Sequence, residues 1–142
     1  MRVDAALVID SNVLISAALS TTSPPARIVR HALAHGRLLF SDATFAELQS
    51  RLWRPKFDRY LDLEDRKAIL HDLGAAGVWV DISPELAGRT FSRDADDDKF
   101  IHVALAASAD AIVSGDQDLL LLSRIEDLPV LTPGQACALL AC

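Results

Sequence analysis

Asp94, Asp96, Asp97 and Asp98 place four carboxylates within five residues, and the chain turns apolar directly after them, through Phe100-Ile101-His102-Val103-Ala104. Like charges crowded at the mouth of a buried helix repel one another, so ionising all of them costs energy. Water, the helix N-terminus or a bound cation can offset that cost. Three further acids could join the cluster: Asp10 after Ala6-Leu7-Val8-Ile9, Glu47 after Phe45-Ala46, and Asp116 after Ile112-Val113-Ser114-Gly115. All are oxygen donors, and an all-oxygen set selects a hard cation such as Mg²⁺ or Mn²⁺. Two such ions ~4 Å apart activate a water and stabilise the leaving oxygen of a phosphodiester. The chemistry implied is metal-dependent phosphodiester hydrolysis.

These acids can meet only if the elements that carry them bring them to one edge. Ala6–Ile9, Leu38–Phe40, Val78–Val80, Ala111–Val113 and Pro129–Leu131 are short apolar runs of the kind buried on both faces of a parallel sheet. Helical patterns alternate with them. One follows Asp10-Ser11-Asn12, a capping sequence. One spans Ala26 to His35, and one starts at Ser41 or Asp42 with Phe45, Leu48 and Leu52 on a stripe. Another runs from Leu63 to Leu73 with Gly74 as its stop, and the acid-cluster helix extends to about Ser108. A short helix covers Asp118–Leu122, and Pro133 opens the last. Strands alternating with helices predict a three-layer α/β/α sandwich with a central parallel sheet of about five strands, in a single domain over 1–142.

Such sheets build their sites just past the carboxyl ends of the strands. Asp10 and Asp116 end strands there, Asp97 and Asp98 open the helix that feeds the fourth strand, and Glu47 can reach in from the side. No histidine or cysteine ends a strand on that edge. In this reading Asp10 is the central ligand, Asp98 and Asp116 complete the set, Asp97 assists, and Glu47 binds directly or through water. Asn12, Ser114 and Asp118 orient waters or carboxylates.

Each piece also has an ordinary reading. Asp10 can simply cap a helix, Asp94 to Asp98 can be a solvated loop, and Asp116 and Asp118 can be turn residues. Their joint occurrence on one inferred edge raises a metal site to equal standing with these ordinary readings. Arg51 to Tyr60 interleaves Arg51, Arg54, Lys56 and Arg59 with Trp53, Phe57 and Tyr60. It could contact nucleic acid, but the aromatic spacing favours core or a partner interface. His31 and His35 lie one helical turn apart without an acid partner nearby in sequence, and His102 reads as a packing residue.

The 142 residues carry a net charge of −6, which argues against a passive nucleic-acid binder. Seven of the twenty acids fall between Asp94 and Asp118, so the excess is partly local to the suspected site. No apolar run approaches the ~18 residues of a membrane span, and the first residues do not form a signal peptide. Cys137 and Cys142 lack metal or redox spacing and read as reduced thiols, so a cytoplasmic location is expected.

The ordered motifs resemble the PIN-domain ribonucleases, and in particular their small stand-alone toxins of the VapC type. Val8-Ile9-Asp10-Ser11-Asn12-Val13 is similar to the first acidic motif, and Phe45-Ala46-Glu47-Leu48 to the second. Asp94-Ala95-Asp96-Asp97-Asp98-Lys99-Phe100 resembles the third, with Ala95 where proline is common. Ile112-Val113-Ser114-Gly115-Asp116-Gln117-Asp118-Leu119 resembles the fourth, and Arg54-Pro55-Lys56-Phe57-Asp58-Arg59-Tyr60-Leu61 a segment of one subgroup. The resemblance implies Mg²⁺ or Mn²⁺, single-stranded RNA as substrate, a homodimer and a small antitoxin partner. Register with the following apolar run favours Asp98 over Asp97 as the main ligand. Two other classes remain open. One is a PIN-like RNA- or protein-binding module with weak or no turnover. The other is a phosphatase or phosphoacceptor protein, for which Asp10-Ser11-Asn12 lacks the second aspartate and no lysine follows a late strand.

Overall fold

The computed structural model describes residues 1–142. Six strands form its sheet: β1 (Ala6–Ile9), β2 (Arg37–Phe40), β3 (Val78–Trp79), β4 (Ala111–Val113), β5 (Arg124–Ile125) and β6 (Leu128–Leu131), in the order β3-β2-β1-β4-β6-β5. All pairings are parallel except β5 on β6. The sixth strand, β5, was not expected. It is two residues long with one apolar side chain, and its partner lies just across a tight turn at Glu126, whose φ is 55°.

Alternation along the strands divides the core in two. Leu7, Ile9, Leu38, Phe40, Ala111 and Val113 face one layer of helices. That layer contains α1 (Ser11–Ala18), α2 (Pro24–Ala34), α3 (Asp42–Leu52), α4 (Leu63–Ala76) and α8 (Pro133–Leu140). Ala6, Val8, Leu39 and Ile112 face the other layer, dominated by α6 (Asp98–Ala106) with α7 (Gln117–Leu120). A short α5 (Pro84–Ala87) precedes α6. The three-layer α/β/α architecture follows from burying both faces of β1 and β4.

Helix boundaries differ from expectation by one to three residues: α2 runs Pro24–Ala34 rather than Ala26 to His35, α7 runs Gln117–Leu120 rather than Asp118–Leu122, and two others have a clear physical reason. Gly74 does not stop α4, which continues to Ala76 with Gly77 as its cap. Gly74 is instead a packing position, where a Cβ would stand 3.3 Å from the Phe45 ring. At Gly77 a Cβ would stand 2.5 Å from the Phe40 ring, so only glycine permits the approach of α4 to β2. The acid-cluster helix ends at Ala106, two residues early, and Ser108 turns the chain with a φ of 51°.

The aromatic spacing from Trp53 to Tyr60 also fails as a helical stripe. Pro55 disfavours helical backbone at Arg54, so α3 ends at Leu52 and residues 55–57 form a 3₁₀ turn. Of the three rings only Phe57 packs against the core. Trp53 and Tyr60 are 42% and 60% exposed. No helix is long and apolar enough to cross a membrane.

Candidate metal and nuclease site

The β1–β4 ladder sets the site's frame. The Asp10 N–H donates to the Val113 carbonyl at 2.9 Å, so pairing extends one residue past β1, and the Ser114 N–H donates to Leu131 at 2.9 Å. Asp10 then caps α1, with Oδ1 accepting the Asn12 N–H at 3.4 Å. Its Oδ2 accepts from Ser114 Oγ at 2.8 Å. Ser114 Oγ also accepts the Asp116 N–H at 2.9 Å, so one fully buried hydroxyl ties the ends of both strands together. Asp116 caps α7, with Oδ1 accepting from the Asp118 and Leu119 N–H groups at 2.8 and 3.3 Å.

Asp10 is only 4% exposed, and this burial pushes its pKa up against the opposing hydrogen bonds from Ser114 and Asn12. The Glu47 charge pushes it the same way and Arg51 the opposite way.

Asp97 and Asp98 are neighbours with different surroundings. Both are buried, at 6% and 4% exposure. Asp98 Oδ1 accepts the N–H groups of Phe91 and Ser92, at 3.1 and 2.8 Å, and pins the preceding loop to α6. Asp97 has Ser92 Oγ at 3.4 Å and otherwise faces carboxylates. Burial is the chief cause that pushes Asp97 up to about 7, followed by the charges of Asp116 and Asp94, with Asp10 contributing. Asp97 also groups with Asp94 and Asp118, one oxygen from each lying within 4.8 Å of the others. Asp94 is an exposed residue that caps the 3₁₀ turn through the Asp96 N–H, and Asp118 is paired with Arg93 at 2.7 Å.

Glu47 does reach in from the side, but two cations hold it. Lys99 Nζ stands 2.6 Å from Oε2 and Arg51 Nε stands 3.3 Å from Oε1, which is buried and makes no hydrogen bond. Arg51 was legible as the i+4 partner on the same helix. Lys99, fifty-two residues away, was not.

The structure thus sets Asp97 within reach of the charges of Asp116 and Asp10, links Asp10 to Asp116 through Ser114, and puts Glu47 beside Asp10 and Asp118 beside Asp97. Asp98 holds its own loop through Oδ1. Asp10, Asn12, Asp116 and Asp118 line a cleft of about 590 Å³ at this edge. The donor set fits a hard divalent cation. The acids that meet here offer carboxylate oxygens, and a cation would offset both the burial that chiefly raises Asp97 to about 7 and the Asp116 and Asp94 charges that add to it. His102 is buried, with Nε2 2.7 Å from the Arg89 carbonyl, away from these acids in bonding.

Residues 6–118 match the family model described as PIN domain. An uncharacterized protein of Methanocaldococcus jannaschii, MJ1680, is 36% identical over 118 residues, which cover 82% of this chain and 74% of that protein. Solved structures are similar in fold at lower identity. PAE2754 from Pyrobaculum aerophilum has a TM-score of 0.64 and 18% identity, covering 97% of this chain and 96% of that one. VapBC2 from Rickettsia felis, solved bound to a DNA fragment from its promoter, has a TM-score of 0.60 and 16% identity, covering 89% and 98%. VapBC-1 from nontypeable Haemophilus influenzae has a TM-score of 0.58 and 18% identity, covering 91% and 98%. The matched segment spans every acid of the site, from Asp10 to Asp118, and the chain belongs to the PIN-domain family.

Proposed function

We propose that this chain is a Mg²⁺- or Mn²⁺-dependent endoribonuclease that hydrolyses phosphodiester bonds of single-stranded RNA. In this reading residues 1–142 act as one domain, in the cytoplasm and as a homodimer. The protein is the toxin of a toxin–antitoxin pair, held in check by an antitoxin protein. The likeness in fold to the two VapBC proteins supports the toxin assignment. The observation that carries the nuclease reading is the gathering of the buried Asp10 and Asp97 with Asp116, Asp10 and Asp116 being tied through one Ser114 hydroxyl and burial raising Asp97 to about 7. A group so placed at a strand edge is a functional-site candidate.

Asp10, Asp97 and Asp116 would hold the metal. Asp97 thereby replaces Asp98 as the main ligand from the acid cluster, reversing the expectation from sequence register. Asp97 is the one that faces the Asp116 and Asp10 charges, while Asp98 Oδ1 accepts the Phe91 and Ser92 N–H groups. A bound Mg²⁺ or Mn²⁺ supplies an acidified water and charge stabilisation on the phosphodiester oxygens. Ser114 fixes the Asp10 carboxylate and the Asp116 backbone together, so that the pair is preorganised. Glu47, held by Lys99 and Arg51, acts on a water rather than as a direct ligand. Asn12 and Asp118 face the same cleft and orient water or substrate.

The test is cleavage of single-stranded RNA in Mg²⁺ or Mn²⁺, with EDTA, Asp97→Asn and Asp116→Asn as controls. Cutting that survives EDTA and both substitutions removes the metal-site reading. The alternative, a PIN-fold module that binds RNA or protein with little turnover, is favoured by one observation: Glu47 is already neutralised by two cations. RNA binding without cleavage in the same assay selects it.

A further inference from the structure

An acid cleft in a chain of net charge −6 repels a polyanion, so a nuclease built this way needs cations beside the cleft. Arg51 to Tyr60 holds four cations, Arg51, Arg54, Lys56 and Arg59, and a single acid, Asp58. That acid is already paired with Arg66 at 2.9 Å. Arg54, Lys56 and Arg59 are exposed and take part in no ion pair. Leu52, Phe57 and Leu61 anchor the segment in the core. The side chains between these anchors are therefore displayed on fixed backbone. Trp53 and Tyr60 are among them, exposed where a core role would bury them. Guanidinium groups already lie over both rings, Arg66 at 5.3 Å from Trp53 and Arg59 at 5.8 Å from Tyr60. At its near end the segment joins the site through Arg51, which contacts Glu47 and whose charge acts on Asp10.

We propose that this strip is the surface that holds single-stranded RNA beside the acid cleft. Trp53 and Tyr60 stack on bases, and Arg54, Lys56 and Arg59 meet phosphates. Cations interleaved with exposed aromatic rings are what a single strand requires and a duplex does not. The inference rests on the nuclease reading above, and it is tested without turnover so that the two can fail separately.

Binding of a fluorescein-labelled, mixed-sequence oligoribonucleotide to the full chain is followed by anisotropy, in EDTA and again in Ca²⁺, across a salt series. Replacing Arg54, Lys56 and Arg59 together by Gln should lower the slope of log affinity against log salt by about 2, since each phosphate contact on a single strand contributes about 0.7. Trp53→Ala and Tyr60→Ala should each weaken binding about 5- to 100-fold with the slope unchanged, as loss of one stacked base does. Gln retains length and polarity at exposed sites, so the triple variant keeps its fold, checked by its melting curve. Wild-type protein that binds no RNA in either condition overturns the proposal, as do variants that bind like wild type. A triple variant with altered sedimentation and unaltered RNA affinity assigns the strip to a second copy of the chain instead. Strip-dependent binding without cleavage in Mg²⁺ leaves this proposal standing and removes the nuclease.

Discussion

The acid cleft and the basic strip carry opposite charge and treat it in opposite ways. Among the site's acids, Asp10 and Asp97 are almost fully buried, and burial is the largest cause raising both pKa values. In the strip, Arg54, Lys56 and Arg59 stand in water, where neighbouring like charges interact weakly. Crowding of like charge is thus expensive in one region and nearly free in the other. Burial, more than the number of charges, decides where the fold carries strain that a counterion can relieve.

The largest effect that separates the two regions is on chemistry. Asp10→Asn, Asp97→Asn and Asp116→Asn should each reduce RNA cleavage by more than the about 10- to 100-fold typical of outer-shell partners. Asp98→Asn, which can still accept both loop N–H groups, should lose far less. Equal losses at Asp97 and Asp98 break the assignment. Next is Ser114→Ala, which removes the link from Asp10 to Asp116 and should weaken Mg²⁺ binding about 10- to 100-fold in a calorimetric titration.

A third effect lies in pH. Asp97 holds its proton up to about 7 in the folded protein, against an ordinary value of 3.8 when unfolded. Folding therefore favours the protonated form. The Asp97 contribution to stability is present below about pH 4 and is lost as pH rises to about 7. Asp97→Asn should abolish this fall, and saturating Mg²⁺ should suppress it by taking the proton's place. Melts of wild type and variant across pH 4 to 8, in EDTA and in Mg²⁺, measure it. A wild-type minus variant difference that grows with pH in EDTA would contradict the electrostatic picture of the cleft.

Smaller still is Lys99→Met, which leaves Glu47 buried with Arg51 alone. A loss of about 1–3 kcal/mol in urea unfolding is expected, below the about 3–5 kcal/mol for breaking a fully buried pair. Smallest is Arg59→Gln in the strip, where stability should stay within about 0.5 kcal/mol of wild type. A larger loss there would mean that the strip's charges serve the fold.

How much of this was legible varied with the range of the interaction. Strands buried on both faces announced themselves as apolar runs, and Asp10, Ser41 and Pro133 marked helix starts through local capping chemistry. The acids of the site were visible because strand ends and helix mouths are local features. The different surroundings of Asp97 and Asp98 were not visible. They depend on the Phe91-Ser92 backbone folding back onto Asp98 Oδ1, a loop contact with no periodicity to betray it. Lys99 was hidden for a related reason, since its partner Glu47 lies on a helix from the other half of the chain. Arg54-Pro55 breaks the helix as its sequence implies, and of the two readings for Trp53 and Tyr60, core or partner interface, their exposure removes only the core. β5 escaped because two residues carry no alternation at all.

The hydroxyl of Ser114 bonds a carboxylate that precedes it by 104 residues, and β4, which carries it, is flanked by β1 on one side and β6 on the other. Contacts this distant in sequence form late and together, because closing so long a loop is slow and is rewarded only when the strands pair. A growing chain that has not yet reached Leu131 lacks the strand that flanks β4, and one short of Ser114 lacks half the site. A chain cut before Ser114 therefore keeps Asp10, Glu47 and Asp97 but lacks Asp116 and the hydroxyl that links it to Asp10. The acid cluster is complete only where the sheet has closed around β4.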